Sequence, residues 1–417
     1  MDEAMNDFSL SIAHPLTHIR YLTEEIGPRG STTVGEAKAA EYTWKTLRAF
    51  GLEEVKVEKF ESGRSTWRLY ALALVLALLA VIIYPLLSPW SALAAALLCV
   101  AALRGMYAEL NFDDNPLRRL LPKGWSQNVV GIIPPTGEVR KHIVLIGHLD
   151  TARTPFLFRS VPLLIIFVIL VFLVFLSLGV NILLYLLGAL TAWSWLYSAS
   201  WVGAIVQFIG LLFCLEADLS PYTVGANDNA SAVGVVLSLA ERLSQEPLER
   251  SQVWILCSGC EEVACHGVAA FLADHGEELS EAYFIDLEGV GIGELHYATC
   301  EGMLKKYPSH PELIAVAEGV AVRRPELGGR PFVIRAGYTE TGVVIKKGLK
   351  GMTLINLNSS GFLSYLPYWH QREDTLDKLE EGALTRAQEF VWEMMKEIDG
   401  GPGGDGGGHC VVFRDRV

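Results

Sequence analysis

The sequence predicts an α/β domain with a mixed, mostly parallel sheet covered by helices on both faces, interrupted by two inserted transmembrane helical hairpins. The 417 residues are 51% hydrophobic and only 19% charged, whereas a soluble domain usually carries about 25% charged residues. Two uncharged stretches, residues 69–103 and 160–215, hold most of this apolar excess. Outside them, short apolar strands alternate with amphipathic helices, a pattern typical of a sheet with helices on both faces.

The elements outside the apolar stretches follow from their periodicity. Ala37, Ala40, Trp44 and Leu47 share one face of a predicted helix, which Gly51 ends. Alternating or short apolar runs predict the strands. We expect helices at 35–50 and 230–243, and strands at 54–60, 128–133, 142–146, 252–257 and 282–287.

Each uncharged stretch is long enough for two membrane spans, since one span needs about 20 residues. Pro85, Ser88 and Pro89 break the first stretch near its middle, and we expect the second to turn near Asn181. Aromatic residues gather two-thirds of the way through the second stretch, as they do at a membrane interface. The predicted segments are a first, a second and a third piece of the sheet domain (1–66, 108–158 and 216–399), two hairpins (67–107 and 159–215) and a flexible glycine-rich tail (400–417).

The charges on either side of the spans predict the orientation of the chain. The basic residues near the spans all lie on the side of the sheet domain, and neither expected turn carries Lys or Arg. By the positive-inside rule, this places the sheet domain in the cytoplasm. The net charge of −13, without a long basic cluster, makes nucleic acid an unlikely partner and leaves the lipid bilayer as the expected one. The acidic start of the chain predicts no signal peptide.

Four short segments place acidic and imidazole groups just after predicted strands or before helices. They are GHLDTA at 147–152, GANDNASA at 225–232, CSGCEEVACHG at 257–267 and WHQREDTLDKLEE at 369–381. His148 and Asp150 point the same way on an extended chain, so the carboxylate can orient the ring. Together, two histidines and several carboxylates at strand ends predict a mixed nitrogen and oxygen site that suits zinc.

Each segment also has an ordinary structural interpretation. Asp228 and its asparagine neighbours cap helices well, Glu261 and Glu262 would be stable in a solvated loop, and a lone histidine such as His370 is often structural. A competing zinc site is offered by Cys257, Cys260, Cys265 and His266, which begin with a C-x-x-C spacing. The adjacency of the last two residues argues against a single tetrahedron.

In this order, GHLD, GANDNAS, GCEE and WH…DTLDKL resemble the motifs of the co-catalytic dizinc aminopeptidases. This family includes bacterial leucyl aminopeptidase, aminopeptidase Y and glutamate carboxypeptidase-like metallopeptidases, and the present chain looks like a membrane-embedded member. The resemblance covers about residues 15–60, 125–152 and 222–395 and implies a three-layer α/β/α zinc-peptidase domain.

The resemblance also implies roles for individual residues. Two zinc ions would be bound by His148, Asp228, Glu262, Glu288 and His370, with Asp228 bridging the two ions. Glu261 would be the general base, and Asp150 would support the ring of His148. Glu288 falls where the family usually has aspartate, and Asp286 is the reserve choice for this ligand. Tyr338, Thr339 and Glu340 stand where the family often has serine and aspartate.

The resemblance further implies an enzyme, a metallo-exopeptidase that removes amino-terminal residues from peptides by attack of a metal-bound hydroxide. Because His148 and Asp228 must then share one site, each inserted segment must leave the sheet domain and return to it on the same side of the membrane. Each segment therefore has an even number of spans, which selects two hairpins and four spans. Residues 151–159 reach at most about 30–32 Å even when extended, so the site should lie close to the bilayer and act on membrane-associated or apolar peptides. The alternatives are a non-catalytic scaffold of the same fold and a glutaminyl-cyclase-like acyl transferase. A channel would need more polar spans than these.

Overall fold

The structure, a computed structural model, describes residues 14–86, 89–191, 193–335, 337–360 and 363–400. The described helices are α1 (Pro15–Arg20), α2 (Val34–Ala49), α3 (Thr66–Ile83), α4 (Pro89–Leu110), α5 (Val161–Leu190), α6 (Ser194–Leu219), α7 (Ser231–Gln245), α8 (His266–His275), α9 (Pro311–Arg323), α10 (Glu340–Lys346) and α11 (Glu381–Gly400). The described strands are β1 (Glu54–Gly63), β2 (Lys123–Ile133), β3 (Lys141–His148), β4 (Ser251–Ser258), β5 (Tyr283–Glu288), β6 (Glu294–Glu301), β7 (Tyr307–Pro308), β8 (Arg330–Val333), β9 (Lys350–Ser360) and β10 (Leu363–Tyr365). The glycine-rich tail after Gly400 lies outside the described residues.

The ten described strands form one mixed sheet in the order β1-β2-β4-β3-β5-β9-β6-β7, with β10 beside β9 and β8 beside β6. The four strands β4-β3-β5-β9 at its centre run parallel, and β1 and β2 extend it antiparallel. Parallel neighbours align His148 with Ser258, so the carboxyl ends of β3 and β4 meet at one edge. The predicted mixed α/β fold is confirmed.

Helices cover both faces of the sheet. Along β3, Ile143 and Leu145 pack with residues of α7 and α11, whereas Val144 and Ile146 pack with residues of α8 and α10. Such strands are apolar on both faces because each face is buried under a helix. This is the three-layer arrangement that the sequence predicts.

Helices α3 to α6 form a separate four-helix bundle, in which α3 and α5 each pack against α4 and α6. All four are long and apolar enough to cross a membrane. Their outward side chains are large and apolar, for example Ile82, Leu97, Phe172 and Ile205. An exposed apolar surface of this extent suits lipid rather than water.

The two helical hairpins differ in how well their turns are predicted. The break expected near Ser88 falls on residues 87–88, which lie outside the described residues, between the end of α3 and Pro89 at the start of α4. The turn expected near Asn181 is wrong, because α5 continues unbroken to Leu190. Asn181 lies inside α5, where its side-chain amide donates to the carbonyl of Ser200 on α6 at 3.3 Å. The turn instead falls between α5 and α6, beside the exposed Trp193.

Candidate metal centre

The carboxyl ends of the parallel strands gather the predicted site residues at one edge of the sheet. His148 ends β3, Glu288 ends β5, and Glu261 follows the end of β4 by three residues. Asp228 lies in the turn before α7, and His370 in the loop after β10. Side chains from five separate segments therefore meet in one place, as ligands commonly do at this edge of an open α/β sheet.

Asp228 lies at the centre of this cluster, with one histidine facing each carboxylate oxygen. Its Oδ1 is 3.3 Å from Nε2 of His148, and its Oδ2 is 3.6 Å from Nε2 of His370. Glu288 Oε2 lies 3.5 Å from the first imidazole nitrogen, and Glu262 Oε2 lies 3.3 Å from the second. Two three-residue groups that could each hold a metal ion result, and they share Asp228.

Glu261 lies beside these two groups, but its carboxylate is farther from His148 than those of Asp228 and Glu288 are. Its Oε2 is 3.9 Å from Nε2 of His148, and its Oε1 accepts a hydrogen bond from the thiol of Cys265 at 3.4 Å. With His148 and Glu262 it forms a third group of possible ligands. A carboxylate so placed is within reach of a water molecule held by the neighbouring residues.

Asp150 holds two parts of the site together. Its carboxylate accepts the backbone N–H groups of Glu261 and Glu262, at 3.0 and 3.2 Å, and the hydroxyl of Ser31 at 2.6 Å. Its backbone carbonyl lies 3.0 Å from Nδ1 of His148. A proton on Nδ1 then leaves the lone pair of Nε2 directed at the cluster, which is the usual arrangement of a metal-binding histidine.

Asp374 supports the opposite side of the cluster. It is buried and accepts the backbone N–H groups of Asn227 and Asp228, at 2.7 and 3.0 Å. The partners lie 146 and 147 residues away along the chain, so local sequence carries no signal for this contact.

The tight turn before α7 requires glycine at position 225. Gly225 has a φ of 57°, and a Cβ atom there would lie 2.3 Å from the carbonyl oxygen of Asp228 and 2.5 Å from Cγ2 of Thr151. Only glycine allows both the left-handed backbone and the close approach. The motif GANDNAS therefore begins with the residue that brings Asp228 toward His148.

Arg29 is a further supporting residue, and it lies outside the four predicted site segments. It is fully buried and donates to five backbone carbonyls, those of Leu22, Gly27, Leu149, Val224 and Gly225. The last three of these carbonyls belong to the loops that carry His148 and Asp228. An arginine within an otherwise small and polar segment, IGPRGSTT, was the available signal.

The electrostatics of the cluster fit a divalent cation. Burial raises the pKa of Glu261 and of Glu262 well above the ordinary value, and raises that of Glu288 to about 8. Burial also lowers the pKa of His370 to about 4, so its ring is neutral and can donate a lone pair. Three buried atoms that face the cluster have no hydrogen-bond partner: His148 Nε2, Asp228 Oδ2 and Glu262 Oε1. A cation would satisfy these atoms and stabilise the ionised carboxylates.

Comparison with known proteins agrees with this geometry. Residues 210–395, which include Asp228, Glu261, Glu262, Glu288 and His370, match Peptidase family M28. The match covers a little under half of the chain, and over these residues the chain is similar to that family. The predicted recognition of a zinc-aminopeptidase relative is thereby confirmed, as is the prediction of an enzyme in the metallo-aminopeptidase class.

Solved structures with the same fold include two aminopeptidases and one cyclase. BSAP, a zinc aminopeptidase from Bacillus subtilis, is 16% identical, with a TM-score of 0.55 over 92% of this chain and 94% of its own. A leucine aminopeptidase precursor from Bacteroides thetaiotaomicron is 14% identical, with a TM-score of 0.54 over 93% and 98%. A glutaminyl cyclase from the same organism, bound to N-acetylhistamine, is 14% identical, with a TM-score of 0.54 over 93% and 97%. No curated protein sequence matches the chain.

Among the matched residues, the structure distinguishes Glu288 from the reserve choice Asp286. Asp286 lies two residues earlier, with Oδ2 3.4 Å from the hydroxyl of Thr353, and its pKa is raised to about 7 by burial. It belongs to none of the metal-capable groups among the described residues. Residues two apart on a strand point to the same face of the sheet, so Asp286 and Glu288 share a face. Only the longer Glu288, at the end of the strand, reaches His148.

The competing cysteine site does not assemble in the described part of the chain. Cys257, Cys260 and Cys265 are buried free thiols, and none belongs to a metal-capable group there. His266 has its Nδ1 2.7 Å from the hydroxyl of Ser62. Burial raises the pKa of the Cys257 thiol, which opposes the thiolate form that binds zinc.

Proposed function

We propose that this protein is a membrane-embedded dizinc aminopeptidase that hydrolyses the amide bond after the amino-terminal residue of peptides. The observation that supports this most is the position of Asp228, with His148 facing one carboxylate oxygen and His370 facing the other. A carboxylate shared in this way is suited to bridging two metal ions. The family match and the fold of the zinc aminopeptidases support the same activity.

The two metal positions would use different residues around the shared carboxylate. One zinc would be held by His148, Asp228 and Glu288, and the other by Asp228, Glu262 and His370. When bound, the zinc ions would lower the pKa of a shared water molecule and polarise the carbonyl of the substrate. These ligand types, imidazole and carboxylate, are those of catalytic zinc sites.

Glu261 would carry the proton through the reaction. In the first step its carboxylate takes a proton from water as the water oxygen bonds to the peptide carbonyl carbon. In the second step it passes that proton to the amine nitrogen as the C–N bond breaks. The remaining proton leaves with the new carboxyl group, so one water molecule is consumed for each bond broken. Asp150 would keep Glu261 and Glu262 in place through their backbone N–H groups.

The membrane placement rests on the four apolar helices and their flanks. The ends of α3 to α6 that adjoin the sheet domain carry the basic residues Arg64, Arg68, Arg104, Arg153 and Arg159. Arg68 pairs with Asp218 at 3.0 Å at this end of the bundle. By the positive-inside rule, we place the sheet domain and its metal site on the cytoplasmic side.

Glutaminyl cyclisation is the second candidate, because glutaminyl cyclases are among the proteins that share the fold. Two metal-capable groups around Asp228 favour the two-zinc peptidase instead. The products separate the two activities, since a peptidase releases a free amino acid whereas a cyclase releases ammonia and leaves the peptide chain intact. A non-catalytic scaffold would release neither.

The deciding experiment measures free amino acids released from unblocked peptides by the purified full-length protein in nanodiscs. The proposal expects release by the wild type, and a loss of about 10²–10⁴-fold in kcat for Glu261→Gln with its zinc retained. Glu277→Gln, at an exposed position, is the matched control and should keep full activity. Equal activity of Glu261→Gln and wild type, or zinc-loaded protein that releases nothing from any peptide, would contradict the proposal.

A further inference from the structure

A large cavity joins the metal cluster to the interior of the four-helix bundle. It has a volume of about 860 Å³ and is bounded at one end by Asp228, Glu261 and Glu288. At the other end it is bounded by residues of α3, α5 and α6. An apolar cavity of about 150 Å³ already holds a benzene molecule, so this space is several times larger than one amino acid side chain needs.

A continuous set of aromatic contacts links the site to the bundle. The ring of Phe158, just before α5, stacks on His370 with centroids 5.1 Å apart and planes 17° apart. Phe158 also contacts Phe167 of α5 at 4.9 Å, and Phe167 contacts Phe213 of α6 at 5.4 Å. The metal site therefore opens directly into the bundle and is not separated from it by a solvated layer.

The cavity extends far along the helices. Its lining includes Leu74, eight residues from the start of α3, Val174, thirteen from the start of α5, and Gly210, nine from the end of α6. At 1.5 Å per residue, these positions lie about 12–20 Å beyond the helix ends that adjoin the sheet domain. The cavity thus reaches a depth comparable with half of the hydrocarbon core of a bilayer, which is about 30 Å thick.

The walls of the cavity within the bundle determine what can occupy it. Leu74, Leu164, Phe167, Val174 and Phe213 offer hydrocarbon only, and Tyr70 and Cys214 add few polar atoms. A peptide backbone would bring an N–H and a carbonyl for every residue, each costly to bury without a partner. A plain hydrocarbon chain has no such groups and gains from leaving water.

We propose that this cavity binds one unbranched hydrocarbon chain of the substrate, attached to the carbon next to the scissile carbonyl. Carbon–carbon bonds of about 1.5 Å advance an extended chain by roughly 1.25 Å each, so the depth of about 12–20 Å corresponds to about 10–16 carbons. The substrate is then an amide of a long-chain acid whose carbonyl lies at the metal cluster. This inference rests on the proposed metal-dependent amide hydrolysis and specifies its substrate class.

The hydrocarbon chain can come from two kinds of substrate, which differ only in the α-amino group. It can be the long side chain of an amino-terminal residue with a free α-amine, or the acyl chain of an N-acylated amino acid. 2-Aminododecanoyl-alanine and dodecanoyl-alanine represent the two sources and differ only in the α-amino group. Hydrolysis breaks the same C–N bond and consumes one water molecule in both.

The test measures kcat/KM for both series in nanodiscs, with acid chains of three to sixteen carbons. The inference expects kcat/KM to rise about threefold to fourfold per methylene in at least one series, and to level off beyond about 14 carbons. Gly210 lies at the floor, where a Cβ would meet Val174 Cγ2 at 3.0 Å and Leu74 Cδ1 at 3.3 Å. Gly210→Leu and Val174→Phe should therefore lower the ratio of kcat/KM for twelve carbons to that for three by more than tenfold.

Gly179→Leu is the matched control, because its Cβ would meet nothing within 4 Å on the same bundle. Partition into the bilayer is the same for all variants, so a profile that rises equally in wild type, Gly210→Leu and Val174→Phe overturns the inference. A flat profile with activity on short chains also overturns it, as expected if a bilayer lipid fills the cavity, and leaves the proposed function intact. No hydrolysis in either series by zinc-loaded protein would instead refute the proposed function. The series that responds identifies the source of the chain.

Discussion

The sheet domain and the four-helix bundle bury their polar side chains in different ways. In the sheet domain, Arg29 donates to five carbonyls, and Asp150 accepts three hydrogen bonds. In the bundle, Gln207 of α6 contacts Ser177 of α5 at 3.3 Å, and buried atoms such as Oδ1 of Asn181 and Oε1 of Gln207 have no hydrogen-bond partner among the described residues. The sheet domain thus fixes the geometry of its metal cluster by polar networks, whereas the bundle relies on apolar packing. A bundle packed in this way can contain an apolar cavity, because apolar walls need no hydrogen-bond partners.

The largest effect that this comparison predicts is for Arg29→Met. The substitution leaves five carbonyls without their donor and should destabilise the sheet domain by about 3–5 kcal/mol. Hydrogen–deuterium exchange should then show loss of protection in β3 and α7, with protection of α3 to α6 retained. Arg20→Met, at an exposed residue 3.6 Å from Glu24, should change stability by less than about 0.5 kcal/mol. Equal loss of protection in the sheet domain and in the bundle would show that Arg29 does not stabilise the sheet domain selectively.

A smaller effect is expected when one acceptor beside the metal cluster is changed. Asp150→Asn replaces one carboxylate oxygen by an NH2 group, so the side chain can accept only one of the N–H groups of Glu261 and Glu262. We expect zinc affinity or activity to fall about 10–100-fold in a protein that still folds. Ser31→Ala removes one of the three hydrogen bonds to Asp150 and should give a milder loss, measured in the same zinc titration. Wild-type zinc affinity and activity in Asp150→Asn would show that Asp150 does not position the metal cluster.

The pH dependence from histidine should fall entirely on the sheet domain, since α3 to α6 contain no histidine. Burial lowers the pKa of His18 to about 4, so the folded state favours the neutral ring. This contribution to stability is present above the unfolded pKa near 6.5 and is lost as the pH falls toward 4. Between pH 7.5 and 5.5, His18→Gln should therefore lose about 1–1.5 kcal/mol less stability than wild type. Parallel stability curves for the two proteins would contradict this.

The smallest effect is expected inside the bundle. Asn181→Leu keeps the approximate shape of the side chain and removes only the contact of 3.3 Å with the Ser200 carbonyl. Single polar contacts between membrane helices contribute about 0.6 kcal/mol on average, so the change in unfolding free energy should be near that value. A loss above about 2 kcal/mol in a detergent-unfolding titration would show that polar contacts also determine the bundle.

The sequence was most informative where chemistry follows a strand end. His148, Asp228, Glu262 and His370 each stand in a short motif, Glu288 stands at a position that the family resemblance implies, and the structure brings all five together. The central strands were also predictable, because an apolar run bounded by turn residues has few alternatives in an α/β chain. Each of these inferences depends on local sequence.

Features that depend on distant contacts could not be predicted in the same way. Asp374 has partners almost 150 residues away, and Phe158 contacts His370 across an even longer separation. The turn of the second hairpin was misplaced because the polar Asn181 is buried within α5 and donates to a neighbouring helix, a contact that local sequence does not specify. The cavity likewise arises from the packing of α3, α5 and α6 against each other, which periodicity does not specify.

The central claim is that two metal ions share Asp228, and anomalous diffraction at the zinc absorption edge tests it most directly. Crystals of the zinc-loaded full chain should show two peaks about 3.5–4 Å apart. One peak should lie among His148, Asp228 and Glu288, and the other among Asp228, Glu262 and His370. A single peak, or peaks near Cys257 and Cys260 instead, would contradict the account.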